Sequence, residues 1–169
     1  MWLKSRDKIQ KIIEQLLEKA RKEREKGNIQ EALTVIQEAI HLDKENAISF
    51  GEYGITLAME KYDDTKAEYN GQYAVMKSSQ DAVQWANLAR IYYLLESYKK
   101  ALISILVAEL IDHELENVQK IEMQIEEAMG PEQVNTILKI AEKTRNVFTK
   151  YKSLESITPD SLFKEVLNG

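Results

Sequence analysis

Residues 82–115 read AVQWANLARIYYLLESYKKALISILVAELIDHEL, and this stretch decides the fold class. Trp85, Ala89 and Tyr92 follow one another at steps of three and four, and the same spacing resumes after an interruption at Glu96. Residues at this spacing share one face of an α-helix. The stretch therefore predicts two helices joined by a tight turn.

The same spacing of small residues occurs in two earlier parts of the chain. Ala20 lies 69 residues before Ala89, and Gly54 lies 34 residues after Ala20. A period of 34 residues with one inserted residue explains both offsets. The insertion falls in the turn at residues 60–64, where an extra residue costs little. The predicted repeats span residues 13–46, 47–81 and 82–115.

The second repeat departs most from the pattern in its second helix. Glu68 and Gly71 stand where the third repeat has Leu102 and Ile105. Since apolar side chains supply most of the packing energy of a helix, we expect this helix to be the least stably packed.

Beyond residue 115 the repeat degrades. Gly130 followed by Pro131 indicates the end of one helix and the start of the next, so residues 116–152 predict a fourth, diverged hairpin that completes a domain of residues 1–152. Thr158 before Pro159 predicts the cap of a last short helix. Residues 153–169 are therefore interpreted as a linker and a C-terminal helix. An atypical last unit is expected, because terminal repeats cover an otherwise exposed apolar edge.

Composition restricts the class of function. The net charge of −5 argues against a nucleic-acid partner, which needs a dense basic surface. The absence of Cys removes thiolate chemistry and fits a cytoplasmic protein. No run approaches the ~18 apolar residues of a membrane span. His41 and His113 are not at metal-ligand spacing, and no phosphate loop or nucleophile motif occurs, so we expect neither an enzyme nor a cofactor.

The 34-residue helix-turn-helix period, with Trp85, Ala89, Tyr92 and Ala101 in its third copy, resembles the tetratricopeptide repeat (TPR) family. The resemblance implies an all-α fold, a right-handed superhelix of about three repeats with an N-terminal extension and C-terminal capping helices. It also implies a concave groove, lined by the first helix of each repeat, that binds a peptide or helix of a partner protein. Carried over by position, the predicted groove residues are Arg21, Arg24, Glu52, Ile55, Met59, Asn87, Arg90 and Tyr93.

This lining suits a non-catalytic protein-interaction module. Its apolar floor would bind apolar anchors of a peptide, and its arginines could bind a carboxylate bidentately. The alternative is that these are ordinary solvated helix positions. Co-chaperones of the family grip the acidic C-terminus of heat-shock proteins, but Glu52 and Val83 do not suit that clamp, so we do not expect it.

Two further functions stay open. The size of the chain resembles TPR chaperones that hold secretion substrates in bacteria. The terminal helix, with Leu162 and Phe163, could also occupy the groove of its own chain. If it occupied the groove of a neighbouring copy instead, the result would be a homodimer or an assembly scaffold. The alternative for this helix is that it merely covers the last hairpin.

Overall fold

The computed structural model describes residues 2–61, 63–151 and 158–168. Within them it contains nine α-helices, one short 3-10 helix and no strand, which confirms the predicted all-α class. No helix of these residues is both long enough and apolar enough to cross a membrane. The helices are α1 (Trp2–Glu25), α2 (Ile29–Leu42), α3 (Ala47–Glu60), α4 (Asp64–Lys77), α5 (Ala82–Leu94), α6 (Tyr98–Ile111), α7 (Val118–Met129), α8 (Val134–Tyr151) and α9 (Pro159–Asn168).

The first six helices form three hairpins. Each hairpin pairs a helix with the next one along the chain, α1 with α2, α3 with α4 and α5 with α6. Successive hairpins pack through α2 on α3 and through α4 on α5. The first helices of the hairpins also neighbour one another, since α3 contacts both α1 and α5. The two helices predicted from residues 82–115 are thus confirmed.

Local residue types set the ends of these helices. Gly27 follows α1 with φ of +82°, a left-handed conformation that costs glycine little. The side chains of Asn46 and Asp63 accept hydrogen bonds of 2.9 Å from the backbone N–H groups of Ser49 and Lys66. Such caps satisfy donors that have no partner inside the helix. These residues therefore set the end of α1 and the starts of α3 and α4.

Replacing Asp81 by alanine should lower the free energy of unfolding by about 1 kcal/mol. Oδ1 of Asp81 accepts from the backbone N–H of Val83 at 2.9 Å, and its Oδ2 accepts from Nε2 of Gln84 at 3.1 Å. Ser97, at the equivalent position before α6, makes no capping hydrogen bond through its side chain. Ser97→Ala is therefore the matched control and should change stability by less than about 0.5 kcal/mol. Equal losses of stability for the two variants in urea unfolding would contradict this assignment.

Two glycines let the second hairpin pack closely. A Cβ on Gly54 would lie 2.9 Å from the carbonyl oxygen of Ala67 and 2.7 Å from Cδ1 of Ile91. A Cβ on Gly71 would lie 2.5 Å from the same Ile91 atom and 3.0 Å from Cδ1 of Leu88. Gly71 therefore leaves no gap in α4, because side chains of α5 fill the space. That α4 is the least stably packed helix stays a prediction.

The predicted fourth hairpin, residues 116–152, is wrong in its pairing. Gly130, with φ of +88°, ends α7, and the 3-10 turn Pro131–Gln133 leads into α8 as the sequence predicts. However, α7 and α8 each pack mainly against α6 and make little contact with each other. The reason is that α8 also packs against α9, so its buried face, which includes Ile140 and Phe148, is already used by α6 and α9.

The last helix, α9, packs against α8 and reaches back to α4. Its buried apolar side chains are Leu162, Phe163 and Val166. The ring of Phe163 meets that of Tyr92 nearly edge-on, with 5.4 Å between centroids. Oδ1 of Asp160 accepts a 2.9 Å hydrogen bond from Nε2 of Gln72 on α4. Thus α9 covers part of the second hairpin as well as the C-terminal helices. The predicted linker at residues 153–157 lies outside the described residues.

Candidate functional site

An ion cluster joins α1 to α3 at positions where the sequence predicts groove residues. Nε and Nη2 of Arg21 both lie 2.8 Å from Oε1 of Glu52. Nη1 of Arg24 donates to the other carboxylate oxygen, Oε2, at 2.9 Å. Arg21 and Arg24 are three residues apart on α1, so they project from one side of that helix. The structure therefore brings together three of the eight predicted residues around a single carboxylate.

Thr56 completes the surroundings of Arg24, although the sequence pattern does not single it out. Nη1 of Arg24 donates to Oγ1 of Thr56 at 3.1 Å, and this hydroxyl donates to the backbone oxygen of Glu52 at 2.7 Å. Thr56 is fully buried. Thr56 follows Glu52 by four residues, and residues four apart are neighbours on a helix. This spacing could have predicted that Thr56 lies beside the ion cluster.

Burial divides the cluster into a fixed part and an accessible part. The side chains of Glu52 and Arg24 are only 8% and 9% exposed, whereas that of Arg21 is 42% exposed. Charge-assisted hydrogen bonds are strong where water is excluded, and an unpaired buried charge is costly. The pair of Arg24 and Glu52 therefore holds α1 on α3, while Arg21 keeps part of its guanidinium available to solvent.

Arg90, on α5, adds a third guanidinium to this surface. Burial lowers the pKa of Arg90, the positive charge of Arg24 lowers it further, and Glu52 opposes the shift. The residue as a whole is nevertheless exposed, and within the described residues it has no ion-pair partner. Arginine stays charged at any physiological pH. We call the surface formed by Arg21, Arg24, Glu52 and Arg90 the arginine face, and it is positive although the whole chain is acidic.

The apolar residues predicted for the groove are not all accessible. Ile55 is 1% exposed and belongs to the core formed with α1 and α2, so its assignment to the groove floor is wrong. The physical reason is that α3 contacts α1, α2, α4 and α5, which leaves little of its surface free. Met59, at the end of α3, is 39% exposed. Tyr93 is half-buried, and its ring lies 6.0 Å from that of Tyr98.

Asn87 lies where α3 and α5 approach each other. A Cβ on Gly51 would lie 2.9 Å from Nδ2 of Asn87 and 3.0 Å from Oε1 of Gln84. Gln84 is buried, and its Oε1 accepts no hydrogen bond within the described part of the chain. Asn87 is itself half-buried. Its side chain therefore takes part in helix packing, which the sequence pattern did not indicate.

The groups of the arginine face are suited to binding. Guanidinium groups on fixed helices present paired N–H donors that match the geometry of a carboxylate. Across residues 2–61, 63–151 and 158–168, no three His, Asp or Glu side chains are grouped so that they could hold a metal ion. A scan against protein-family models and a search of the curated proteins each find no match to this chain.

Proposed function

We propose that this chain is a non-catalytic protein-interaction module of the TPR kind. In this proposal the three hairpins continue into a right-handed superhelix, and α1, α3 and α5 line its concave side. Support comes from the 34-residue period, the paired helices and the direct contacts of α3 with α1 and α5. Stacked helical repeats commonly offer such a side to an extended segment of a partner.

The partner segment that fits this surface carries at least one carboxylate. The observation that carries the proposal is an excess of guanidinium groups. Arg21 and Arg24 pair with the carboxylate of Glu52, and Arg90 adds a third positive charge near it. The other acid near Arg21 is the exposed Glu18, at 3.8 Å, which also pairs with Lys22. Because Arg24 is nearly buried, the accessible donors are those of Arg21 and Arg90. A partner carboxylate bound between them would neutralise charge that the chain itself leaves unbalanced.

The proposed binding surface also has an apolar part. Met59 and the half-buried ring of Tyr93 lie on α3 and α5, the same helices that carry Glu52 and Arg90. Tyrosine contributes large contact area at low entropic cost, and it is enriched among residues that dominate binding energy. The proposed ligand is therefore an acidic peptide segment with an apolar side chain, held without any covalent step.

Arg90→Glu combined with Tyr93→Ala should weaken the binding of an acidic probe about tenfold. The probe is a short fluorescein-labelled peptide of alternating Glu and Leu, and the measurement is fluorescence anisotropy. Arg145→Glu combined with Tyr69→Ala is the matched control, because both of these residues are exposed and lie on other helices. The control should bind as the wild type does. Wild-type affinity in the first variant, with unchanged helical circular dichroism, would contradict the proposed function.

A further inference from the structure

A cleft opens where α7 and α8 diverge, at the start of α6. Its volume is about 510 Å³, and its lining includes Tyr98, Lys99, Ala128 and Met129. The cleft exists because α7 and α8 both pack on α6 and hardly on each other. It is built from other helices than the arginine face and is separate from it.

A smaller cavity of about 160 Å³ shares Lys99 with this cleft. It lies between α6, α8 and α9, and Lys139 and Lys143 line it together with Val166 and Leu167. Leu167 is 39% exposed, so the cavity has an accessible apolar wall beside its ammonium groups. We call the two adjoining cavities the lysine cleft.

Four lysines line the lysine cleft, and one of them, Lys100, pairs with Glu68 at 2.8 Å. Within the described part of the chain, Lys99, Lys139 and Lys143 have no ion-pair partner. The neighbouring acid Glu96 is already paired with Lys61 at 2.8 Å. Lys139 and Lys143 are four residues apart on α8, and like charges at this spacing repel each other. In a chain with a net charge of −5, this local excess of positive charge favours an anionic ligand.

We propose that the lysine cleft binds an acidic segment of a partner protein, with carboxylates on the lysines and an apolar side chain in the larger cavity. The apolar lining by Tyr98, Ala128 and Met129 favours a peptide, which carries both kinds of group, over an extended polyanion. A nucleic-acid strand would also bring many phosphates close to an acidic chain, where they are repelled. The site stands apart from the proposed function and does not depend on it.

The test uses methyl NMR on the full chain labelled at methionine, titrated with a short peptide of alternating Glu and Leu. Met129 lines the lysine cleft, Met59 lies on α3, the helix that carries Glu52 of the arginine face, and Met123, 60% exposed on α7, is a control. We expect the Met129 signal to move with an affinity that falls as salt is added. A static Met59 signal with a moving Met129 signal would reject the proposed function alone, and the reverse would reject the lysine cleft alone.

Charge reversal at Lys139 and Lys143 gives the matched comparison. Lys139→Glu with Lys143→Glu should weaken the Met129 titration about tenfold, and Lys139→Arg with Lys143→Arg should keep it within about twofold. Lys8→Glu with Lys11→Glu makes the same change of net charge on exposed residues of α1 and should leave the titration unchanged. The inference is overturned if the reversed variant keeps its circular dichroism signal and binds normally. It is also overturned if a short thymidine oligonucleotide moves Met129 as effectively as the peptide.

Discussion

Glu52→Ala is expected to lower the free energy of unfolding by about 3–4 kcal/mol, because it leaves the guanidinium of Arg24 buried without its carboxylate. Arg24 is only 9% exposed, and its remaining hydrogen bond goes to the neutral hydroxyl of Thr56 at 3.1 Å. The nearby positive charge of Arg90 would add repulsion. Urea unfolding followed by circular dichroism measures the effect.

Glu31→Ala is the control, because it removes an ion pair without leaving a buried charge unpaired. Glu31 pairs with Lys19 at 3.3 Å, but the two side chains are 53% and 54% exposed, and exposed pairs contribute less than about 1 kcal/mol. Replacing both partners, as in Arg24→Met with Glu52→Leu, should restore most of the stability, since no stranded charge remains. If Glu52→Ala costs no more than Glu31→Ala, then the cluster does not hold α1 on α3.

Gly54→Ala is expected to destabilise the protein by about 2–3 kcal/mol, although alanine is the better helix former by about 1 kcal/mol. The new Cβ would lie 2.9 Å from the carbonyl oxygen of Ala67 and 3.2 Å from the backbone nitrogen of Gly71. Backbone atoms of α4 cannot move aside as the end of a side chain can, so α3 and α4 must separate. Urea unfolding measures the loss.

Gly71→Ala is the matched comparison for Gly54→Ala, because its new Cβ would meet side-chain atoms and not backbone atoms. At Gly71 the new Cβ meets only the ends of Ile91 and Leu88, with Cδ1 of Ile91 at 2.5 Å. In an Ile91→Val background, which removes that atom, Gly71→Ala should become nearly neutral. Gly54→Ala should keep most of its cost there. Equal rescue of both alanine variants would show that Ile91, and not the α3–α4 contact, sets the limit.

The cluster around Glu52 connects stability with the proposed binding. Arg24 and Glu52 are nearly buried and link the first hairpin to the second, whereas Arg21 and Arg90 keep exposed surface. A rigid, buried pair beside accessible guanidinium groups keeps the binding geometry in place before a ligand arrives. For this reason variants at Arg90 test binding with little effect on folding, and variants at Glu52 change both.

The sequence was sufficient for features that depend on neighbouring residues. The helix stops at Gly27 and Gly130 each follow from the left-handed conformation that glycine allows. The helix pairs of the first three repeats also follow, because apolar residues at steps of three and four fix which side of each helix is buried. Gly54, which the period matches to Ala20, lies at a helix contact.

Tertiary structure alone decided which side chains face solvent and how the C-terminal helices pack. Periodicity did not reveal that Ile55 is core, because that depends on four helices packing around α3. Nor did it reveal that Glu52 binds Arg21 and Arg24 across 31 and 28 residues. Nor did it reveal that α7 and α8 each pack on α6, and α8 also on α9, rather than mainly on each other. Local chemistry thus determined the helices and their hairpins, whereas contacts between residues distant in the chain determined the candidate sites.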